Sequence, residues 1–204
     1  MRPDEPRGPG GKPLRLRRLH RSQQLPGAVR LIGGRLKRSK LPVPDLAGLR
    51  PTPDRVRETL FNWLGQDLSG WRVLDAFAGS GALGFEAASR GAASVLLLEQ
   101  DGGLVASLVA SAQRLRTPEL RVQRTDALRW MATAEAASFE LVLLDPPFGA
   151  AQLAPAIAVA APLVAPGGFL YVESPGLPGD PPEGLQPWRS LKAGAVHAHL
   201  WRRA

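Results

Sequence analysis

The sequence predicts an α/β fold built on a mostly parallel sheet with an antiparallel last strand. Three observations carry that expectation. From residue 71 onward, short apolar runs alternate with longer stretches of helical periodicity, the pattern of βαβ crossovers. Two of those runs stop abruptly, one in a glycine-rich turn at Gly79 and one at Pro146-Pro147. The tail from Trp188 to Arg202 has no room for a crossover helix, so it reads as a hairpin turning at Gly194.

The elements follow in order. Residues 1–27 carry Pro, Gly and Arg with little apolar content, the composition of a disordered basic tail. Residues 28–41 read as a strand, a Gly33-Gly34 turn and a second strand, a hairpin lined by Arg30, Arg35, Lys37, Arg38 and Lys40. After a Pro-rich connection comes a helix with Thr52 as N-cap, Pro53 at the first helical position and Asp54 in the first turn. Its apolar stripe is Val56, Leu60, Trp63 and Leu64; Arg55, Glu58, Thr59 and Asn62 fall on another face, and Arg55 and Arg57 extend the basic surface. Residues 28–64 thus form a basic hairpin-and-helix unit, and 65–204 an α/β domain. In that domain strands are expected near 71–76, 93–99, 119–124, 139–144 and 167–173. Helices are expected near 81–90, 101–115, 126–136 and 151–164.

Composition narrows the function. The net charge is +8, but residues 1–60 hold 15 Lys and Arg against 5 Asp and Glu, whereas the other 144 hold 11 against 13. All excess positive charge therefore lies in the amino-terminal third, which points to a polyanion held by one region. With no cysteine there is no disulfide, thiolate metal site or cysteine nucleophile. His20, His197 and His199 are too scattered for a zinc site, so no metal is expected. The most apolar stretch, 153–165, is broken by Pro155 and Pro162 and falls short of the roughly 20 residues of a membrane span. The basic first 30 residues hold no apolar run, unlike a secretory signal. A soluble cytoplasmic monomer is expected.

Two segments carry chemistry. Phe139-Glu-Leu-Val-Leu-Leu-Asp-Pro-Pro-Phe148 is a strand that two prolines force out of the sheet. Asp145, the Pro146 carbonyl, Pro147 and Phe148 then stand at a strand's carboxyl end, where open α/β sheets bind ligands. A planar amine could bond to Asp145 and the Pro146 carbonyl while its ring stacks on Phe148: a nucleobase site. An ordinary Pro-Pro turn with a packed Phe explains that segment alone equally well. In the second segment Gly79, Gly81 and Gly84 satisfy G-x-G-x-x-G after a strand, and Glu99 ends the next strand twenty positions after Gly79. This is also a dinucleotide fingerprint, with the acid on a ribose hydroxyl. S-adenosylmethionine fits better than NAD, because Asp75 is placed to accept from an ammonium, which NAD lacks. The donor site would comprise Asp75, Phe77, Gly79, Ser80, Gly81 and Glu99. The alternative for Glu99 is a solvated strand-end acid.

These residues carry a family resemblance from about Val29 to Arg203. The motifs Ile32-Gly-Gly, Leu41-Pro-Val-Pro, Gly48-Leu-Arg-Pro-Thr, Asp54-Arg-Val-Arg-Glu-Thr-Leu-Phe-Asn-Trp, Phe77-Ala-Gly-Ser-Gly-Ala-Leu-Gly and Asp145-Pro-Pro-Phe resemble the RsmD family of bacterial 16S ribosomal RNA guanine-N2 methyltransferases. The resemblance implies a Rossmann-like class I methyltransferase fold with a seven-stranded sheet and S-adenosylmethionine as donor. It implies methylation of one guanine, position 966, within a partly assembled small subunit. Asp126 and Ala127 fit the family position that meets the adenine. The Asp-Pro-Pro-Phe and glycine motifs also occur in DNA amino-methyltransferases, which leaves adenine-N6 or cytosine-N4 methylation as the alternative. Segment 48–63 and the absence of a separate target-recognition domain argue against it. A dehydrogenase would need a catalytic His, Lys or Tyr near a second pocket, which the sequence does not offer. A ribosome-assembly factor with incidental methylation is the reading from outside enzymology.

Overall fold

The computed structural model describes residues 27–43, 53–147 and 150–204. Seven strands form one sheet in the spatial order β5-β4-β3-β6-β7-β9-β8. β3 (Arg72–Asp75), β4 (Ser94–Glu99), β5 (Leu120–Arg124), β6 (Phe139–Leu144) and β7 (Val164–Ser174) are parallel. β8 (Leu185–Ala193) and β9 (Val196–Arg203) form the terminal hairpin, turning at Gly194, and β9 lies antiparallel against β7. The expected α/β class and antiparallel last strand are observed. The order reverses between β3 and β6, and this switch point is where open α/β sheets bind ligands.

The helices match the expected periods with instructive differences. α2 (Ala82–Ser89) is buried all round, as its largely apolar character dictates, with Glu86 and Ser89 as its polar members. α3 (Gly102–Leu115) starts where Asp101 accepts from the N–H groups of Gly103 and Leu104. α4 (Ala127–Met131) is shorter than expected, because Thr133 and Ala134 close as tight turns onto the Trp130 and Met131 carbonyls. α5 (Ala150–Ala160) gives way to a 3-10 turn at Ala161–Leu163, and β7 begins at once, three residues earlier than expected.

The amino-terminal part departs further. β1 (Gly27–Arg30) and β2 (Lys40–Val43) pair antiparallel, but 31–39 form a long connection and not a tight Gly33-Gly34 turn. Arg35, Lys37 and Arg38 therefore sit on a loop and not a strand. Gly27 is already in β1, so the tail expected over 1–27 stops one residue short there; 1–26 and Thr52 lie outside the described residues. α1 (Asp54–Trp63) takes Pro53 as its cap position, one residue later than expected. Its inward face is Val56, Arg57, Leu60 and Phe61, with Leu64 just beyond, whereas Trp63 is half-buried at the rim. Leu31, Leu41, Leu60 and Phe61 share one core cluster with Val73, Phe85, Leu97 and Leu141, so the hairpin and α1 pack into the core of the catalytic sheet. Among the described residues, no helix is long and apolar enough to cross a membrane.

Candidate functional site

The carboxyl edge of the sheet gathers the residues singled out for chemistry. β3 ends at Asp75, and the chain turns across its neighbours: the Ala76 N–H donates to the Leu143 carbonyl on β6 at 3.1 Å, and the Ala78 N–H to the Leu98 carbonyl on β4 at 3.0 Å. Gly79 then donates its N–H to Glu99 Oε2 at 3.0 Å, while Glu99 Oε1 accepts from the N–H groups of Gln100 (2.8 Å) and Asp101 (2.9 Å). A carboxylate offers about four acceptor positions. Glu99 thus ties the glycine turn to the end of β4 and keeps capacity for one more donor.

Asp75 is buried, and its Oδ2 accepts the Gly84 N–H of α2 at 3.0 Å. Burial pushes its pKa up to about 7, helped by the negative charges of Asp145 and Glu99 and opposed by the N–H groups of Gly84 and Phe77. Gly81 adopts φ 78°, a left-handed backbone that glycine alone takes without strain, and a Cβ there would come within 2.6 Å of Leu108 and 2.8 Å of Phe85. The demand for glycine at 81 therefore comes from the core as well as from any ligand. Phe77 and Ser80 are half-buried along this turn. Asp126 is exposed and spends one oxygen capping α4 through the Arg129 N–H at 2.9 Å; Ala127 is buried behind it.

Asp145 leaves β6 beside this turn, close enough that its charge raises the proton affinity of Asp75 and of Tyr171. Asp145 and Pro146 are half-buried and Pro147 is exposed; Phe148 lies outside the described residues. The register Leu144↔Val172 carries Asp145 and Glu173 off adjacent strands at the same level. Glu173 is buried and accepts the Tyr171 hydroxyl at 2.8 Å. This second acid at the cleft was missed in the sequence, although the run Leu170-Tyr-Val-Glu173 repeats the apolar-run-then-acid signature of Glu99.

A second cluster joins the basic loop to α2. Glu86 is fully buried and accepts the N–H groups of Ile32 (3.0 Å) and Gly33 (2.7 Å) and the Arg90 guanidinium (2.7 Å). Arg57 Nη1 lies 3.6 Å from its other oxygen. Arg57 also bonds to the Arg30 carbonyl (2.9 Å) and to Asp54 (2.5 Å), and Arg90 lies over the Phe61 ring at 4.6 Å. Ser89 accepts the Leu36 N–H (2.9 Å) and donates to the Gly33 carbonyl (2.5 Å). Gly34 has φ 67° and approaches so closely that a Cβ would sit 1.9 Å from the Ser89 carbonyl oxygen. The Gly33-Gly34 pair thus serves docking against α2. Arg57, expected to face RNA, is corrected by this geometry: it is fully buried as a partner of Glu86. Glu86 was missed as well, though a lone acid within an apolar helix, four residues before an arginine, was the available signal. Arg30, Lys37, Arg38, Lys40 and Arg55 are exposed, and Arg35 is exposed but ion-paired with Glu119. Among the described residues no acid or histidine cluster could hold a metal ion.

Comparisons with known proteins show what the chain as a whole is similar to. Residues 29–202 match the family described as conserved hypothetical protein 95. The chain is 41% identical over 182 residues to the ribosomal RNA small subunit methyltransferase D of Escherichia coli K12, covering 87% of this chain and 91% of that protein. It superposes on a solved structure, a putative methyltransferase yhhF from Escherichia coli, with TM-score 0.78 and 38% identity over 87% of this chain and 98% of the other. The fold extends to an RNA methyltransferase from Salinibacter ruber solved with S-adenosyl-L-homocysteine, at TM-score 0.59 and 17% identity over 76% of this chain and 94% of the other. The chain belongs to the ribosomal RNA small subunit methyltransferase D family.

Proposed function

We propose that this protein transfers a methyl group from S-adenosylmethionine to the exocyclic N2 of guanine 966 in 16S ribosomal RNA, within an assembling small subunit. Family membership carries the coarser statement, a small-subunit ribosomal RNA methyltransferase using S-adenosylmethionine. The finer reading rests on one observation: the glycine turn after β3 and the Asp145 turn after β6 open on the same sheet edge, at the point where strand order reverses.

The residues fit a cationic donor. Among the described residues neither Asp75 nor Glu99 forms an ion pair. An ammonium at Asp75 would supply a countercharge, the turn at Phe77, Gly79, Ser80 and Gly81 would follow the amino-acid part, Glu99 would take a ribose hydroxyl, and Asp126 with Ala127 would border the adenine. When bound, the donor supplies an electrophilic methyl on a sulfonium. The chain supplies alignment and exclusion of water, worth several powers of ten for a displacement between held partners. Asp145 accepts from the guanine amine and holds its lone pair toward the methyl. The Pro146 carbonyl accepts the amine's second hydrogen, and Phe148 stacks the ring. The base has to be unpaired or flipped out to reach this pocket. Arg30, Arg35, Lys37, Arg38, Lys40 and Arg55 hold the surrounding phosphates, and the Glu86 cluster fixes the loop that bears three of them. Incubation with labelled donor and undermethylated small subunits, followed by digestion to nucleosides, tests the reading. N2-methylguanosine is expected; N6-methyladenosine or N4-methylcytosine would refute it.

A further inference from the structure

We propose that the outer face of the β8–β9 hairpin is a second RNA-contact surface, where Trp188 stacks an unpaired base and Arg189 and Arg202 take the flanking phosphates. The inference rests on the RNA substrate named above and extends it to a face that the reaction does not use. β8 is an edge strand whose residues 186–190 are all exposed. The register slips there: Pro187 pairs with Trp201 and Arg189 with Leu200, so Trp188 is an inserted residue. Such a bulge re-aims a side chain, here a large ring left 39% exposed.

The ring's neighbours give the surface its chemistry. Phe169 stacks on Trp71 at 5.9 Å and meets Trp188 at a tilt, 6.4 Å away. These two inner rings are half-buried at the rim of the core cluster that α1 helps to form, so Trp188 continues an aromatic row outward on α1's face of the sheet. The Arg189 and Arg202 guanidinium groups lie over the Trp188 ring, 5.0 and 5.1 Å from its centroid, and both residues are exposed, so an incoming base would take the place of one of them on the ring while that arginine swings to a phosphate. Among the described residues neither forms an ion pair, in contrast to Arg35 and Arg72. A ring flanked by two uncompensated forks suits one nucleotide, which supplies a π face and phosphates together. An apolar protein partner would have to bury both charges without acids. Phe169 lies five residues before the end of β7, roughly 16 Å from the catalytic edge at about 3.3 Å per residue. The surface should therefore act on binding and leave the chemical step alone.

The test compares the full chain with Trp188→Ala, Trp188→Phe and the double Arg189→Gln/Arg202→Gln. Binding is measured against undermethylated small subunits and a labelled unpaired RNA oligonucleotide over a salt series, alongside methyl transfer at saturating RNA. Trp188→Ala should weaken RNA binding about tenfold, as removal of a stacking platform does, with Trp188→Phe recovering most of it. The double variant should lower the salt slope by about two, one for each phosphate contact. Donor affinity and the saturating rate should not change. Unchanged affinity and slope in variants of an enzyme that still binds and methylates RNA would overturn this inference alone. A photocrosslinker at position 188 that captured a ribosomal protein and no RNA would overturn it too. Failure of the wild-type chain to bind RNA would remove this inference and the proposed function together.

Discussion

Replacing Glu86 with alanine isolates what holds the basic loop against the catalytic domain. The carboxylate is fully buried, takes two loop N–H groups at 3.0 and 2.7 Å, and lies between Arg90 at 2.7 Å and Arg57 at 3.6 Å. Removing one member of a buried ion pair costs about 3–5 kcal/mol, because the partner charge stays buried. Each N–H left without an acceptor costs about 1–3 kcal/mol by itself. These losses share one site and do not add fully, so the upper part of the ion-pair range is expected. For a chain of this size 1 kcal/mol shifts the melting temperature by about 2–4 °C, so the loss is roughly 8–20 °C. Glu86→Gln keeps an acceptor oxygen and should fall between the two. Circular dichroism melting gives the shift, and hydrogen exchange locates it: the Ile32 and Gly33 amides should lose protection first. A Glu86→Ala variant melting within about 2 °C of wild type, with those amides still protected, would refute the docking role.

Three further outcomes follow from the site. The Asp75 pKa, raised from 3.8 to about 7, means that the group adds stability below pH 4 and that this contribution is lost as pH rises through 7. A bound ammonium favours the carboxylate, so S-adenosylmethionine binding should release a proton and weaken as pH falls below about 7, by up to tenfold per unit; calorimetry in buffers of different ionisation enthalpy would expose a pH-independent, proton-silent affinity. Asp145→Ala should leave donor affinity nearly intact while single-turnover methyl transfer drops by orders of magnitude, since the interaction it removes is strongest in the transition state; failure to bind the donor would instead reassign the residue. Neutralising Arg35, Lys37 and Arg38 together should weaken RNA binding and flatten its salt dependence by about one unit for each phosphate no longer neutralised, and an unchanged slope would clear the loop of that role.

The sheet was legible because its signals are local. Apolar runs with abrupt stops placed β3, β4, β5 and β6 within a residue of their observed bounds, and the Gly79–Gly81 turn announced the strand-to-helix switch. What local pattern cannot supply is the partner of a buried charge. Arg57 resembles any helix-surface arginine until Glu86, twenty-nine positions later, comes to face it. The same long-range contact turned Gly33-Gly34 from a hairpin turn into a docking seam, because Ser89 and Arg90 occupy the space their side chains would need. Phe61 displaced Trp63 from the inward face for a related reason: Arg90 packs on the Phe61 ring, a demand invisible within the helix. In the cleft, Asp75, Gly79 and Glu99 could be read from motif spacing, whereas Glu173 enters only through the β6–β7 register.

Mapping the methyl group onto the RNA is the decisive measurement for the proposed reaction. Small subunits lacking the modification would be treated with the protein and S-adenosylmethionine, their 16S RNA cut into defined fragments, and each fragment weighed and sequenced by mass spectrometry. One added methyl is expected, on N2 of guanine 966, and none when Asp145→Ala replaces the wild-type chain under the same conditions. A methyl on another base or on a ring nitrogen, or full modification by the Asp145→Ala variant, would contradict it.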